Sequence, residues 1–216
     1  MLLLKIFTGV VGLGVVAAAG VLYAAFGAFL PWRENDELDR LADLVGVTAG
    51  QTVAEIGAGG GRFSRGLAAR VGPGGHVYAS ELAGPAHEAL LASLAGISNV
   101  TVIAAERDAN HLPDSCCDVV LLRNVYHHVR DSAAFIGDIR RTMRPDGLVV
   151  VIDFEPGALW FHGTRPDDSS VRRPGHGVAQ QAAIAEFAAA GFRAEHVRAS
   201  WSRPMWLTTF RTLTVQ

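Results

Sequence analysis

Four of the twelve residues in the stretch VAEIGAGGGRFS, 53–64, are glycine, and one carboxylate precedes them. A chain that gives up side chains at this density lets something approach its backbone closely. The dinucleotide frame G-x-G-x-x-G fails, because Gly57 and Gly59 are followed by Arg62 where the third glycine belongs. The frame that fits is acidic-x-G-x-G-x-G, made by Glu55, Gly57, Gly59 and Gly61. Glu81 stands 20 residues beyond Gly61, and a carboxylate there can accept hydrogen bonds from both hydroxyls of a ribose. The spacing points to an adenosine-type ligand, and the missing third glycine argues against a tightly held pyrophosphate.

A second group with chemistry is Arg123-Asn124-Val125-Tyr126-His127-His128-Val129. Imidazole exchanges protons near neutral pH, so Tyr126 or His127 is expected to touch a substrate and one histidine to act as a base. Adjacent histidines in a helical or turn segment point in different directions, so at most one of His127 and His128 takes that role; the alternative has one capping or packing under the loop and the other in solvent. A long irregular stretch, 155–177, holds Trp160, Phe161, His162, Arg165, Arg172, Arg173 and His176. Loops of this length are lids or binding loops. The aromatic residues suit the wall of an apolar site and the arginines an anionic head group, while His176 either lines the site or orients the helix that follows. No spacing of histidine, cysteine or carboxylate fits a metal site. Cys116 and Cys117 are the only cysteines; their adjacency excludes an ordinary disulfide and fits a reducing compartment.

These residues need elements to position them. Strands are expected over 52–56, 76–81, 100–104, 118–122 and 148–154, with helices over 60–71, 85–94 and 133–143 between them. Arg144-Pro145-Asp146-Gly147 is a strong helix stop. A helix over 178–190 and two strands, 193–199 and 206–214, close the chain. Strands alternating with helices of this length make a parallel, doubly wound sheet, and the short link 200–205 makes the last two strands an antiparallel hairpin. The expected fold is therefore α/β and Rossmann-like, a mainly parallel seven-stranded sheet with an antiparallel C-terminal hairpin. Ligands of such sheets lie beyond the carboxyl ends of the strands, so the loops after strands four and five face the substrate.

Residues 6–30 carry no charge. As a helix they would span about 37 Å, enough for a ~30 Å hydrocarbon core. Tyr23, Phe29 and Trp32 gather toward the C-terminal end of the run, where an aromatic belt would sit. Residues 1–32 are expected to form a single-pass membrane anchor, a transmembrane helix preceding the domain 33–216. A cleaved signal peptide ending near Ala17-Ala18-Ala19 is the alternative. The sequence 33–47, with Leu38, Leu41, Leu44 and Val45 at helical spacing, reads as an amphipathic helix. At 216 residues the chain holds one domain with a real core, and its net charge of -2 gives no basic footprint for nucleic acid.

The segment Arg107-Asp108-Ala109-Asn110-His111-Leu112-Pro113, followed by Asp118-Val119-Val120, falls into register with the glycine loop and Glu81. Together they resemble the class I methyltransferases dependent on S-adenosylmethionine (SAM), in particular the small-molecule type with D-A-x-x-L-P followed by F-D-x-V. The resemblance covers about Leu38 to the end of the chain. It implies SAM as cofactor, with Glu55, Gly57, Gly59 and Gly61 on the methionine and ribose side and Glu81 on the ribose hydroxyls. Asp108 would face the adenine amino group, Ala109 would supply a backbone contact, and Arg123 belongs to the same site. Glutamate replaces the commoner aspartate at 55 and 81, and Cys117 stands where the family usually has Phe.

Leu122–Val125 looks like the matching segment of the ubiquinone/menaquinone C-methyltransferases, and Arg144–Gly147 resembles their K-P-G-G turn. The Tyr-His-His portion and His176-Gly177-Val178 are closer to a broad group of bacterial methyltransferases with a double histidine. The Asn-Pro-Pro-Tyr motif of methyltransferases acting on DNA bases or glutamine is absent, which argues against a nucleic-acid substrate. The resemblance implies methyl transfer to a small acceptor, and the expected anchor with the aromatic, arginine-bearing stretch points to one in or at the membrane: a quinone-like ring, a lipid or a hydrophobic metabolite. Since SAM is made in the cytosol, the domain would face the cytoplasm. An NAD(P)-dependent oxidoreductase and a non-catalytic SAM-binding membrane protein are the alternatives. Whether carbon, oxygen or nitrogen is methylated, and the oligomeric state, stay open at this level.

Overall fold

The structure, a computed structural model, describes residues 36–107, 109–157 and 177–213. The expected anchor, Asp108, His176 and the aromatic and arginine residues of 160–173 lie outside the described residues. Among the described residues no helix is long and apolar enough to cross a membrane. The chain divides between Leu41 and Ala42, inside a first helix α1 (36–45), and the sheet with its flanking helices lies in the unit that begins at Ala42.

That unit runs β1 (Thr52–Ile56), α2 (Arg62–Val71), β2 (His76–Leu82), α3 (Pro85–Leu94), β3 (Val100–Ala105) and β4 (Cys117–Arg123). A single 3-10 turn, Tyr126–His128, leads to α4 (Ser132–Thr142) and β5 (Met143–Phe154); α5 (Gln180–Ala189), β6 (Phe192–Ser202) and β7 (Met205–Thr212) complete it. The seven strands form one sheet in the order β3-β2-β1-β4-β5-β7-β6. Pairing is parallel from β3 through β5 and antiparallel from β5 to β7 and β6. The strand order reverses between β1 and β4, which places the switch point at the end of the glycine-bearing strand.

The central strands are apolar on both faces because helices cover both sides. Val119–Leu122 of β4 and Leu148–Phe154 of β5 are buried without interruption, as parallel strands require. Phe63, Leu67, Ala68 and Val71 make the buried stripe of α2, and Phe135, Ile136 and Ile139 that of α4. The Asp131 side chain caps α4 by accepting from Ala134 N at 3.0 Å.

Three local expectations are corrected. The stop signal Arg144–Gly147 ends α4 at Thr142, but the backbone from Met143 already pairs with Cys117, and a register shift before Val119 absorbs the surplus residues. β6 is longer than read, running from Phe192 to Ser202 and closing at the pair Ser202 and Met205, because this exposed edge strand carries polar residues that obscure its periodicity. Cys116 and Cys117 are joined to each other as a vicinal disulfide, contrary to the reading from adjacency. The bond closes only their own dipeptide ring and ties no two elements together.

Candidate cofactor site

The turn from β1 into α2 is built by left-handed glycines: Gly57 at φ 71°, Gly59 at 53° and Gly61 at 76°. Two of them are glycine because the protein itself comes close. A Cβ on Gly57 would overlap Val125 Cγ2, and one on Gly61 would lie 2.8 Å from Leu90 Cδ1. Gly59 differs, since a Cβ there would meet no atom of a described residue within 4 Å. With Gly60, where a Cβ would likewise meet nothing, it leaves this part of the loop open to a ligand. Gly57 N and Ala58 N both donate to Ser80 O at 2.9 Å, and Gly59 N donates to Glu81 Oε2 at 2.8 Å. The loop after β1 is thereby fastened to the carboxyl end of β2.

Glu55 sits beneath this loop, 4 % exposed, and accepts a hydrogen bond from Ser64 Oγ in the first turn of α2. Burial pushes its pKa up to about 7, against the lowering effects of the Ser64 hydrogen bond and the Arg123 charge. Glu81 adds a smaller raising effect. Arg123 ends β4, beside β1 through the pair Ile56 and Leu122, and its guanidinium lies 4.9 Å from the centre of the Phe63 ring. The structure therefore brings Glu55, Gly59, Glu81 and Arg123 to one edge of the sheet, at the carboxyl ends of β1, β2 and β4.

The loop after β3 is held from the opposite side by α4. Asp138 Oδ2 accepts from Asn110 N at 2.7 Å, and Arg141 Nη1 donates to Leu112 O at 2.9 Å and also binds Asp114. Asn110 is buried, and its Oδ1 accepts from Leu112 N at 2.8 Å. Ala109 O accepts from Glu106 N at 2.9 Å. Ala109 thus lies in a loop whose backbone is tied down, next to the position of Asp108.

The histidine turn follows β4. Asn124 adopts φ 60° and donates to Ile152 O at 2.7 Å, which bends the chain back over β5. Tyr126 is wholly buried among Phe135 and Phe187, and its hydroxyl donates to Glu186 Oε2 at 2.5 Å. Its surroundings are those of a core residue. His127 is 1 % exposed, and its backbone N and its ring Nδ1 both meet the carboxylate of Asp153, at 3.0 and 2.9 Å. His128 is exposed, yet its ring centre lies 3.9 Å from that of His127. The two rings lie together, contrary to the expected divergence, because Asp153 draws His127 under the turn. Asp153 was not anticipated from sequence. Its signal was a lone carboxylate in the apolar run Val149–Phe154, where an ionised group needs a partner. Among the described residues no cluster of histidine, cysteine or carboxylates is suited to a metal ion.

Comparison with known proteins agrees with this geometry. A family model described as a methyltransferase domain matches residues 54–151. The ubiquinone/menaquinone biosynthesis C-methyltransferase of Pasteurella multocida is 26% identical over 138 residues, covering 62% of this chain and 50% of that protein. The demethylmenaquinone methyltransferase of Thermus thermophilus is 29% identical over 134 residues, covering 61% and 58%. The chain spans about half the length of these curated relatives. A crystal structure of a SAM-dependent methyltransferase from Aquifex aeolicus superposes with a TM-score of 0.65 at 20% identity, over 80% of this chain and 87% of that one. Strand order, glycine loop and the methyltransferase-domain model over residues 54–151 converge, and the chain is similar in fold and motifs to the class I SAM-dependent methyltransferases.

Proposed function

We propose that this domain transfers the methyl group of SAM to a small hydrophobic acceptor of the quinone type, in its reduced, hydroxyl-bearing form. The single observation that carries the cofactor side is Gly59, whose missing side chain opens the loop beside Glu55 and Glu81. The Glu81 carboxylate at this opening repels a pyrophosphate and attracts a cationic ligand, which favours a sulfonium over NAD(P). SAM supplies an activated methyl group on positively charged sulfur. The chain's own part is to hold the ribose on Glu81, fix the adenine end on the loop after β3, and align an acceptor against the methyl. Alignment of that kind is worth up to roughly 7–11 kcal/mol in model systems.

On the acceptor side, the loop after β4 lies close to the glycine loop, since a Cβ on Gly57 would overlap Val125, and this supports an acceptor bound beside that loop. One curated relative is named for ubiquinone/menaquinone biosynthesis and the other as a demethylmenaquinone methyltransferase, which supports a ring acceptor. Attachment to a membrane through residues 1–32, with the domain facing the cytoplasm, belongs to the same proposal and rests on the uncharged run 6–30. The test is incubation of the full chain with methyl-labelled SAM and either reduced 1,4-naphthoquinone or phosphatidylethanolamine vesicles. Label in the hydroquinone is the expected result. Label in the lipid alone would overturn the acceptor class.

A further inference from the structure

The two edges of the sheet are built differently. β6 carries Arg193, Glu195, His196 and Arg198 and shifts register twice against β7. Charges and irregularities of this kind keep an edge strand from pairing with another chain. β3, at the other edge, has none of them. It reads Val-Thr-Val-Ile-Ala-Ala and pairs with β2 in unbroken register from Val100 to Ala105. Val77 N donates to Asn99 O at 2.9 Å where this ladder begins, and Ala83 N donates to Ala105 O at 3.0 Å where it ends. Backbone groups alternate along a strand, so residues 99, 101, 103 and 105 face β2, while Val100, Val102 and Ala104 turn theirs outward. Val100 N is taken up by Ile97 O at 3.3 Å. Among the described residues no strand pairs with this outer side of β3. α3 packs on β2 and β3, and its outer side is apolar as well: Ala86, Ala89, Leu91 and Ala92 are exposed, Leu91 by 53 %. Glu88 is the one carboxylate in this helix, which has no lysine or arginine.

We infer that the β3 edge is an interface between two copies of this chain, paired antiparallel about a two-fold axis at Val102. In this register Val102 exchanges both backbone bonds with its own counterpart, and Ala104 N donates to the carbonyl of the partner's Val100, twice by symmetry. Four bonds form, and Val100 N keeps its bond to Ile97. A two-fold contact requires a surface complementary to itself, and this edge meets that condition. Val100 lies opposite the partner's Ala104, large against small, and Thr101 lies opposite the partner's Ile103. Glu106 and Arg107, the first charges after the strand, pass the partner's Ser98 and Ile97, so no two charges face each other. Four main-chain bonds are a small contact beside the ~800 Å² per partner of a stable interface. The exposed side of α3 supplies the rest, because the two-fold brings both α3 helices to the same face of the continued sheet. A second copy presents the matching strand and the matching apolar helix together. The seam runs along the side of the sheet and not across the strand ends, which leaves the edge with Gly59 and Glu81 open in each copy.

The test is sedimentation of the full chain in detergent micelles, wild type beside Ala104→Pro. The N–H lost in this variant points away from β2, so the ladder within the chain is kept. The wild type should sediment as a dimer. Ala104→Pro removes two of the four bonds and should raise the dimer Kd about 30-fold or more. The register is read separately, by mixing Thr101→Cys chains with Ile103→Cys chains under mild oxidation. Opposed residues of a non-hydrogen-bonded pair have Cα atoms about 4.5 Å apart, within reach of a disulfide. Two copies of Thr101, or two of Ile103, are diagonal neighbours about 7–8 Å apart. The mixture should therefore cross-link about tenfold faster than either chain alone. A wild type that sediments as a monomer would overturn the inference. So would a dimer that Ala104→Pro leaves equally tight, or cross-linking no faster in the mixture than in the separate chains. Should Ala104→Pro fail to fold, the cross-linking comparison decides by itself.

Discussion

Glu55 shows how a residue chosen for a ligand bears on the stability of the fold. Its folded pKa of about 7 lies above the ordinary value of 4.5, because burial penalises the charged form. The proton is bound more tightly in the folded state, so the contribution of this group to stability is complete below pH 4.5 and declines as the pH rises toward 7. Above pH 7 the loss levels off at about 3 kcal/mol, an order-of-magnitude figure from the shift. Glu55→Gln should flatten this dependence and be the more stable form at pH 8, read from denaturation midpoints at pH 5 and pH 8. An unchanged pH dependence in the variant would contradict the assignment. Glu55 and the glycines of this edge were legible in the sequence because their spacing is set by the backbone of one strand and one turn, and Glu81 by its place at the end of the next strand. Asp153 and Tyr126 were not. The partner of Asp153 is 26 residues away in sequence, and Tyr126 is drawn into the core by Phe187 of α5, a contact that no local pattern encodes.

At the scale of elements, the site depends on loops fastened from behind. The loop after β3 is clamped by Asp138 and Arg141 of α4, whose guanidinium is held charged still more firmly by Asp114 and Asp138. Arg141→Ala would leave those two carboxylates facing the loop without their shared partner. Because Arg141 is partly exposed, the cost in SAM binding should be about 1 kcal/mol, a roughly fivefold rise in Kd by calorimetry, with little change in melting temperature. An unchanged Kd would remove this loop from the cofactor site. Helix and strand identities were readable from apolar period and stop signals, since α2, α4, β1 and β4 each show one clean pattern. The start of β5 and the length of β6 were hidden, because a bulge and an exposed edge strand answer to their sheet neighbours and not to their own sequence.

At the scale of the whole molecule, parallel order from β3 to β5 and the reversal between β1 and β4 gather residues from four strands onto one edge. Alternation of strands and helices was enough to anticipate a mainly parallel sheet with an antiparallel C-terminal hairpin, because right-handed crossovers leave few topologies for such a string; the strand order itself was not read from it. The central claim is that this edge holds SAM, with Glu81 on the ribose. The measurement that tests it most directly is calorimetric titration of the full chain with SAM, wild type beside Glu81→Ala. The account predicts saturable binding to the wild type, weakened in the variant by about 2–3 kcal/mol, the worth of charge-assisted hydrogen bonds to two hydroxyls. A well-folded wild type that binds no SAM, or a Glu81→Ala variant with the same Kd, would contradict it.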